Sequence, residues 1–524
     1  MRRRTSWLLR LGLLLNLLGG LMVLLAGAML PSVAISAYDN GPDLMGHAWA
    51  TGLSAGIGLL LFLPTYRWAR RTPLGHREGF LIVGVGWLAA GLVGALPYWL
   101  YAHLAPGGLC LPEVMAVGSD FCSYTAAAFE SVSGITTTGA SNITDGLWGE
   151  TPGKTLDGRD GLPRGILLWR AMTHYLGGMG MIVLGVAILP LLGVGGMQLL
   201  KAELPGPTPD KLAPRVGETA AILWKVYLLF SAVLFVLLSA GGMNAFEAVC
   251  HAMSTMATGG FSTRAHSVGG FGSAYFEWVI TVFMWIGGMS FTLHFLALRG
   301  RLRSYLRDPE WRAYCGICLV AIALIVVSLL TAGQGIAFWD ALRMAAFQTL
   351  AIITTSGFSS VDYEQWTYAP TALLLITLLK FVGGCAGSTS GGFKVVRHML
   401  VAKMWIRELF FLSHPRAVRP LRLGGRVVDP AVVRSVAGFA GVYLALLVTA
   451  TVFFSFDGQD VQTAFTAAAA SLGNVGPGLG DIGPYDSYAV LSTQSKWVSM
   501  LLMVLGRLEI YTLLVLVSPA FWRR

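Results

Sequence analysis

Hydrophobic residues in this chain gather in long blocks separated by short polar connections, instead of alternating with polar ones. A bilayer core takes about 20 mostly apolar residues as one helix. Ten stretches meet that requirement, near residues 6–36, 46–66, 79–101, 165–192, 217–241, 274–298, 313–332, 366–383, 435–455 and 495–518. The first follows Arg2, Arg3 and Arg4, as in a signal peptide, but it outruns the roughly 7 to 15 apolar residues of such a signal and reads as a retained helix. The pattern predicts an all-α polytopic membrane protein of ten transmembrane helices, with both termini on one side.

Four of the connections carry an extra apolar stretch of ten to fifteen residues. Stretches that short cannot cross a bilayer, so they are expected to enter it and turn back as re-entrant helices. Each leads into a small-residue cluster. The clusters are Ile135-Thr136-Thr137-Thr138-Gly139-Ala140-Ser141, Met256-Ala257-Thr258-Gly259-Gly260-Phe261-Ser262, Ile353-Thr354-Thr355-Ser356-Gly357-Phe358-Ser359 and Leu472-Gly473-Asn474-Val475-Gly476-Pro477-Gly478. Span, short helix, glycine turn and span thus recur four times after an extra helix pair. The implied divisions are 1–75 for the pair, then 76–200, 201–305, 306–428 and 429–524 for the repeats.

Non-helical backbone at membrane depth persists only where protein buries it or where it lines a watery cavity. Four extended turns meeting on one axis would aim carbonyl oxygens at a monovalent cation in place of its water. Glycine supplies the backbone angles, Thr and Ser leave room for close approach, and each short helix directs its partly negative C-terminus toward the axis.

Composition sharpens this picture. Charged residues make up 12% of the chain, about half of what a soluble protein carries, while hydrophobic residues reach 55% and mean hydropathy is +0.65. Disordered, fibrous and ordinary cytosolic proteins are excluded. A net charge of +10 would suggest nucleic acid in a soluble chain, but here the basic residues sit between apolar blocks. With both termini inside, 26 of the 37 Lys and Arg fall in inner loops and five in outer ones, which orients the protein by the positive-inside rule. The basic loops serve topology and anionic lipid contact, or a dedicated partner surface.

Two features lie on the inner side of the clusters. In Gly383-Gly384-Cys385-Ala386-Gly387-Ser388-Thr389-Ser390-Gly391-Gly392, followed by Phe393 and Lys394, five glycines each weaken a helix by about 1 kcal/mol relative to alanine. This stretch should unwind and obstruct a pore; the alternative is a packing surface of small residues. Arg507 lies within the last span, where burial costs about 2.5–3.5 kcal/mol, so it faces a watery cavity or an acidic partner. Glu509, two residues on, falls on another helix face. Lys225 snorkels or pairs with an acid, and Lys380 serves either helix stability or movement of the glycine-rich stretch.

With Phe129-Glu130-Ser131-Val132-Ser133-Gly134, Cys250-His251-Ala252-Met253-Ser254 and Asn474-Val475-Gly476-Pro477-Gly478-Leu479-Gly480, the chain resembles the Trk/Ktr/HKT superfamily of potassium transport proteins, nearest its bacterial TrkH/TrkG branch. The resemblance covers essentially the whole length. It implies a pseudo-fourfold pore in each subunit of a homodimer in the bacterial inner membrane, with K+ as the transported ion and no organic cofactor on this chain. It also implies a cytosolic regulatory partner of the TrkA type that binds NAD, ATP or ADP. By that resemblance, ion contacts fall on the backbone of Thr137, Thr138 and Gly139; Ala257, Thr258 and Gly259; Thr355, Ser356 and Gly357; and Asn474, Val475 and Gly476. It assigns the gate to residues 383–392, with Lys394 and Arg507. The four strands differ in sequence, so fewer ordered carbonyl rings and only moderate selectivity over sodium are expected. A sodium-permeable member of the superfamily is the alternative.

Other chemistry finds less support. Cys110 and Cys122 share an outer connection and can pair in an oxidising compartment, although spacing alone does not decide it. Cys315 and Cys318 have CxxC spacing but no ligand-rich surroundings. The nine His lack paired ligand spacing, and no P-loop is present. A membrane enzyme would need convergent acid, base or metal ligands, and a scaffold would have no use for four such turns.

Overall fold

The computed structural model describes residues 2–69, 76–105, 110, 120–144, 162–183 and 216–522. Helix α1 (Arg2–Asp39) runs unbroken for 38 residues through Pro31 and packs along α2 (Leu44–Ala69). Their backbones nearly touch: a Cβ on Gly19 would lie 2.7 Å from the Gly58 carbonyl oxygen, so small residues set this crossing. Asn16 Nδ2 donates to the Phe62 carbonyl across the same seam at 2.8 Å.

After this pair come α3 (His76–Val93), α4 (Leu96–Leu104), α5 (Tyr124–Ile135) and α6 (Arg164–Val183). Next are α7 (Val216–Ala240), α8 (Ala245–Met256), α9 (Ala274–Gly287), α10 (Phe291–Leu298) and the short α11 (Arg303–Arg307). The third group is α12 (Pro309–Thr331), α13 (Phe338–Ile353), α14 (Pro370–Leu379) and α15 (Val395–Ser413), closed by a hairpin of β1 (Arg422–Leu423) and β2 (Arg426–Val427) in which Arg422 faces Val427. The last is α16 (Pro430–Phe456), α17 (Val461–Gly473), α18 (Thr493–Arg507), α19 (Tyr511–Val517) and α20 (Pro519–Trp522).

Helices α5, α8, α13 and α17 have 12, 12, 16 and 13 residues. At 1.5 Å per residue they are about 18–24 Å long, short of the roughly 30 Å of a bilayer core. Side-chain caps fix two of their starts: Asn244 accepts from the Phe246 amide, and Asp460 from the Gln462 and Thr463 amides. Their C-terminal halves are buried at the centre of the molecule.

Six of the described helices are long and apolar enough to cross a membrane, and two bent pairs raise this to as many as eight. The stretch expected over 165–192 is helical from Arg164 to Val183, and its remainder lies outside the described residues. That over 366–383 holds only the ten-residue α14. The stretches 274–298 and 495–518, expected as single spans, are each broken: α9 meets α10 at 100° and α18 meets α19 at 116°. The first break falls at Gly288-Met289-Ser290. The second passes through Glu509 and Ile510, at φ of +57° and +50°, a region that side chains rarely adopt. An ion pair of Glu509 with Arg397, at 2.6 Å, holds it. Cys110 and Cys122 form a disulfide with Cα atoms 5.6 Å apart, which settles the question left by spacing. Lys225 is exposed on α7.

Candidate functional site

Each half-length helix ends in the same backbone event. Thr137, Thr258, Thr355 and Asn474 adopt left-handed angles of +52°, +54°, +57° and +54°, and two residues later a glycine does so too: Gly139, Gly260, Gly357 and Gly476. The second turn therefore lies one residue later than expected. Its three positions are Thr258, Gly259 and Gly260, while Ala257 is the right-handed C-cap just past α8, equivalent to Thr136 and Thr354. The Gly259-Gly260 doublet offers two glycines to a counting argument, and only the backbone angle separates them.

The four turns close a ring. A Cβ on Gly139 would lie 2.0 Å from the Gly259 carbonyl oxygen, on Gly260 2.0 Å from that of Ser356, on Gly357 2.1 Å from that of Val475, and on Gly476 2.6 Å from that of Thr138. Every turn glycine thus abuts the central carbonyl of the next turn, in cyclic order. On one side the ring opens into a cavity of about 70 Å³ lined by all four glycines together with Tyr485 and Asp486.

Polar side chains from the short helices brace the strands leaving the ring. Glu130 accepts from the Asn142 amide at 2.8 Å and from Arg170 Nε at 2.7 Å, while Arg170 donates onward to the Ser262 carbonyl at 3.1 Å, linking the first two turns. His251 meets Ser262 Oγ at 3.0 Å, Gln348 Nε2 donates to Ser360 Oγ at 3.4 Å, and Thr466 Oγ1 accepts from the Leu479 amide at 2.9 Å. Glu130 and Arg170 are fully buried, and removing one partner of such a pair costs about 3–5 kcal/mol. The sequence signal for these braces was a polar residue five places before the end of α5, α8 and α13.

Beneath the ring, the backbone between α14 and α15 is non-helical. The glycine-rich loop touches three turns: Thr258 Oγ1 donates to Thr389 Oγ1 at 3.3 Å, the Gly391 amide donates to Thr355 Oγ1 at 2.7 Å, and a Cβ on Gly391 would lie 2.7 Å from that of Asn474. Arg507, 1% exposed, donates to the Thr389 carbonyl at 2.7 Å and to the Gly177 carbonyl of α6 at 3.2 Å. It thus meets two carbonyls, and Glu509 pairs with Arg397 instead. Lys394 turns back onto the Ser390 carbonyl. Lys380 Nζ donates to the Gly478 carbonyl at 2.9 Å, which ties it to the fourth turn's outgoing strand and not to the loop. Among the described residues no group of three His, Cys, Asp or Glu side chains fits a metal ion, and Cys315 and Cys318 are free thiols.

Helices long and apolar enough to cross a bilayer, set around a closed ring of backbone turns, mark a membrane transport protein. The chain belongs to the TrkH family of cation transport proteins, whose family model matches residues 54–524. It is 40% identical to the Trk system potassium uptake protein TrkH of Halomonas elongata over 98% of this chain and 100% of that one. To TrkH of Salmonella typhimurium it is 39% identical, over 97% and 98%. The crystal structure of the potassium transporter TrkH from Vibrio parahaemolyticus superposes with a TM-score of 0.84 at 34% identity, covering 98% of this chain and 100% of that one.

On the outgoing side, Glu364 accepts from the Gly480 amide at 2.5 Å. Burial and the charges of Asp486 and Asp362 push its carboxyl from 4.5 up to about 7, although the Gly480 bond opposes this. The folded-state value is the higher one. Its contribution to stability is therefore complete below about pH 4.5 and is lost as the pH rises through about 7. The thermal midpoint of detergent-solubilised Glu364→Gln should fall less than wild type between about pH 5 and about pH 8; parallel falls would show that Glu364 does not titrate there.

Proposed function

We propose that this chain is the membrane subunit of a bacterial potassium uptake system. K+ passes inward along the axis of the four turns, and backbone carbonyls at Thr137–Gly139, Thr258–Gly260, Thr355–Gly357 and Asn474–Gly476 replace its water. The observation that carries this is the cyclic contact of each turn glycine with the next turn's central carbonyl. Such a ring presents carbonyl oxygens, and no cationic ligand, to a bare monovalent ion. The relatives named as potassium uptake proteins, similar over almost the full length, support the choice of ion. Both termini lie inside, a placement that the excess of Lys and Arg in the inner loops supports. An inside-negative potential supplies about 2.3 kcal/mol per 100 mV, so the chain needs no ATPase of its own.

The glycine-rich loop and Arg507 form the gate on the inner side. Their support is position: the loop lies against three turns, and Arg507 joins it to α6. The chain works as a homodimer with a cytosolic nucleotide-binding subunit of the TrkA type. The relatives are named as members of a Trk system, and seven exposed or half-exposed basic residues from Lys403 to Arg434 offer the docking charge.

Gly139→Ser places a side chain on a left-handed backbone and into the Gly259 carbonyl. In a strain with this chain as its sole potassium uptake route, the substitution should abolish growth on limiting potassium or admit sodium in a sodium challenge. Unchanged growth and selectivity would remove the ring from the ion path.

Arg507→Ala frees the Thr389 and Gly177 carbonyls and removes the buried charge. Rubidium uptake into proteoliposomes lacking the regulatory subunit should rise, by about tenfold if one charge-assisted bond restrains the loop. Uptake unchanged with and without that subunit would show that Arg507 is no part of the restraint.

A further inference from the structure

The helix that leaves the glycine-rich loop has no cap of its own. Lys394 occupies the N-cap position of α15 and makes no capping bond, since its side chain carries only donors. The first four amides of a helix lack partners within it and are expensive to bury unsatisfied. One of them, the amide of Val396, is bonded from a distant part of the chain: Glu310, in the first turn of α12, accepts it with Oε1 at 3.1 Å. The same oxygen accepts from the amide of Ala386, inside the loop, at 2.8 Å. Glu310 is 4% exposed.

One carboxylate therefore staples the loop's early part to the residues just past its end. The ends of the loop are also joined directly, by Gly383 N to the Phe393 carbonyl at 2.9 Å and Val395 N to the Gly384 carbonyl at 3.2 Å. Glu310 itself is fixed because Asp308 caps α12, accepting from the Trp311 amide at 2.7 Å, and Pro309 presets its first turn. A carboxylate at the N-terminus of α15 also meets the favourable end of that helix dipole. In the same turn, Arg397 is held by Glu509.

The geometry points to Glu310 as the positioning residue of the inner gate: its carboxylate holds the glycine-rich loop closed by capping α15 and the Ala386 amide together. This builds on the loop being the gate, while the hold itself is measured without transport. Cys385, next to Ala386, is buried at 1% exposure, and Cys250 on α8, at 2%, reports global unfolding.

The test follows alkylation of both thiols by N-ethylmaleimide, using mass spectrometry on the full-length protein in lipid nanodiscs. Glu310→Ala leaves both amides without a partner and should speed Cys385 labelling about tenfold with Cys250 still protected. Glu310→Asp keeps the charge but not the reach and should also label faster. Glu310→Gln keeps the acceptor oxygen and should label as wild type does. Unchanged labelling in Glu310→Ala, or Glu310→Gln labelling as fast as Glu310→Asp, overturns the assignment. If Glu310→Ala exposes Cys250 as well, the comparison of Asp with Gln decides alone. Rubidium uptake is measured on the same variants. Fast labelling with unaltered uptake would leave Glu310 holding the loop and take the gate away from it.

Discussion

The structure depends on a steric constraint: four glycines must each lie against a neighbour's carbonyl with no room for a Cβ. At Gly139, Gly260 and Gly357 an added carbon would stand 2.0–2.1 Å from that oxygen, well inside contact distance. The ring therefore closes only if all four turns share one backbone trace, a left-handed residue followed two places on by a left-handed glycine. Everything around the ring serves to hold that trace. The short helices end where it begins, and Glu130, His251, Gln348 and Thr466 fasten the strands that leave it. A non-helical backbone buried among apolar helices would otherwise leave its polar groups unpaired, at several kcal/mol each.

How much of this was legible in the sequence depended on whether the signal was local. The four clusters were visible because left-handed angles favour Gly and Asn and close approach favours small polar side chains such as Thr, and those residues stand out in apolar surroundings. The register of the second turn was not, since Gly259 and Gly260 satisfy the same composition. Breaks in the stretches 274–298 and 495–518 were hidden because hydropathy measures solvent preference and is blind to backbone direction. At the second break, the residue with reversed φ is Ile510, which no turn rule would select. Its conformation is imposed by tertiary contacts: the Ile510 side chain is fully buried and Glu509 is held by Arg397.

Glu310 shows the same limit from the other side. A capping residue is normally sought next to the helix it caps, and the sequence around Val395 offers only Lys394. The acceptor comes from 86 residues away. The disulfide of Cys110 and Cys122, too, was a question of Cα separation, which spacing along a chain does not determine.

Arg507 shows what a charge in a span is for when its partners are known. An acid would have neutralised it and made it a structural pair. Carbonyls do something different: those of Thr389 and Gly177 take hydrogen bonds from the guanidinium, which remains ionised, but they leave its full positive charge in place. Buried charge is screened weakly, so a cation descending the proposed path would be repelled there far more strongly than in water. The nearest chain neighbour able to cancel that charge, Glu509, is committed to Arg397. In the proposed gate, closure would be electrostatic as well as steric, and the same bond would supply both, because the atom that anchors Arg507 belongs to the loop. Moving the loop would withdraw the Thr389 carbonyl and leave the guanidinium with the Gly177 carbonyl alone of these two partners.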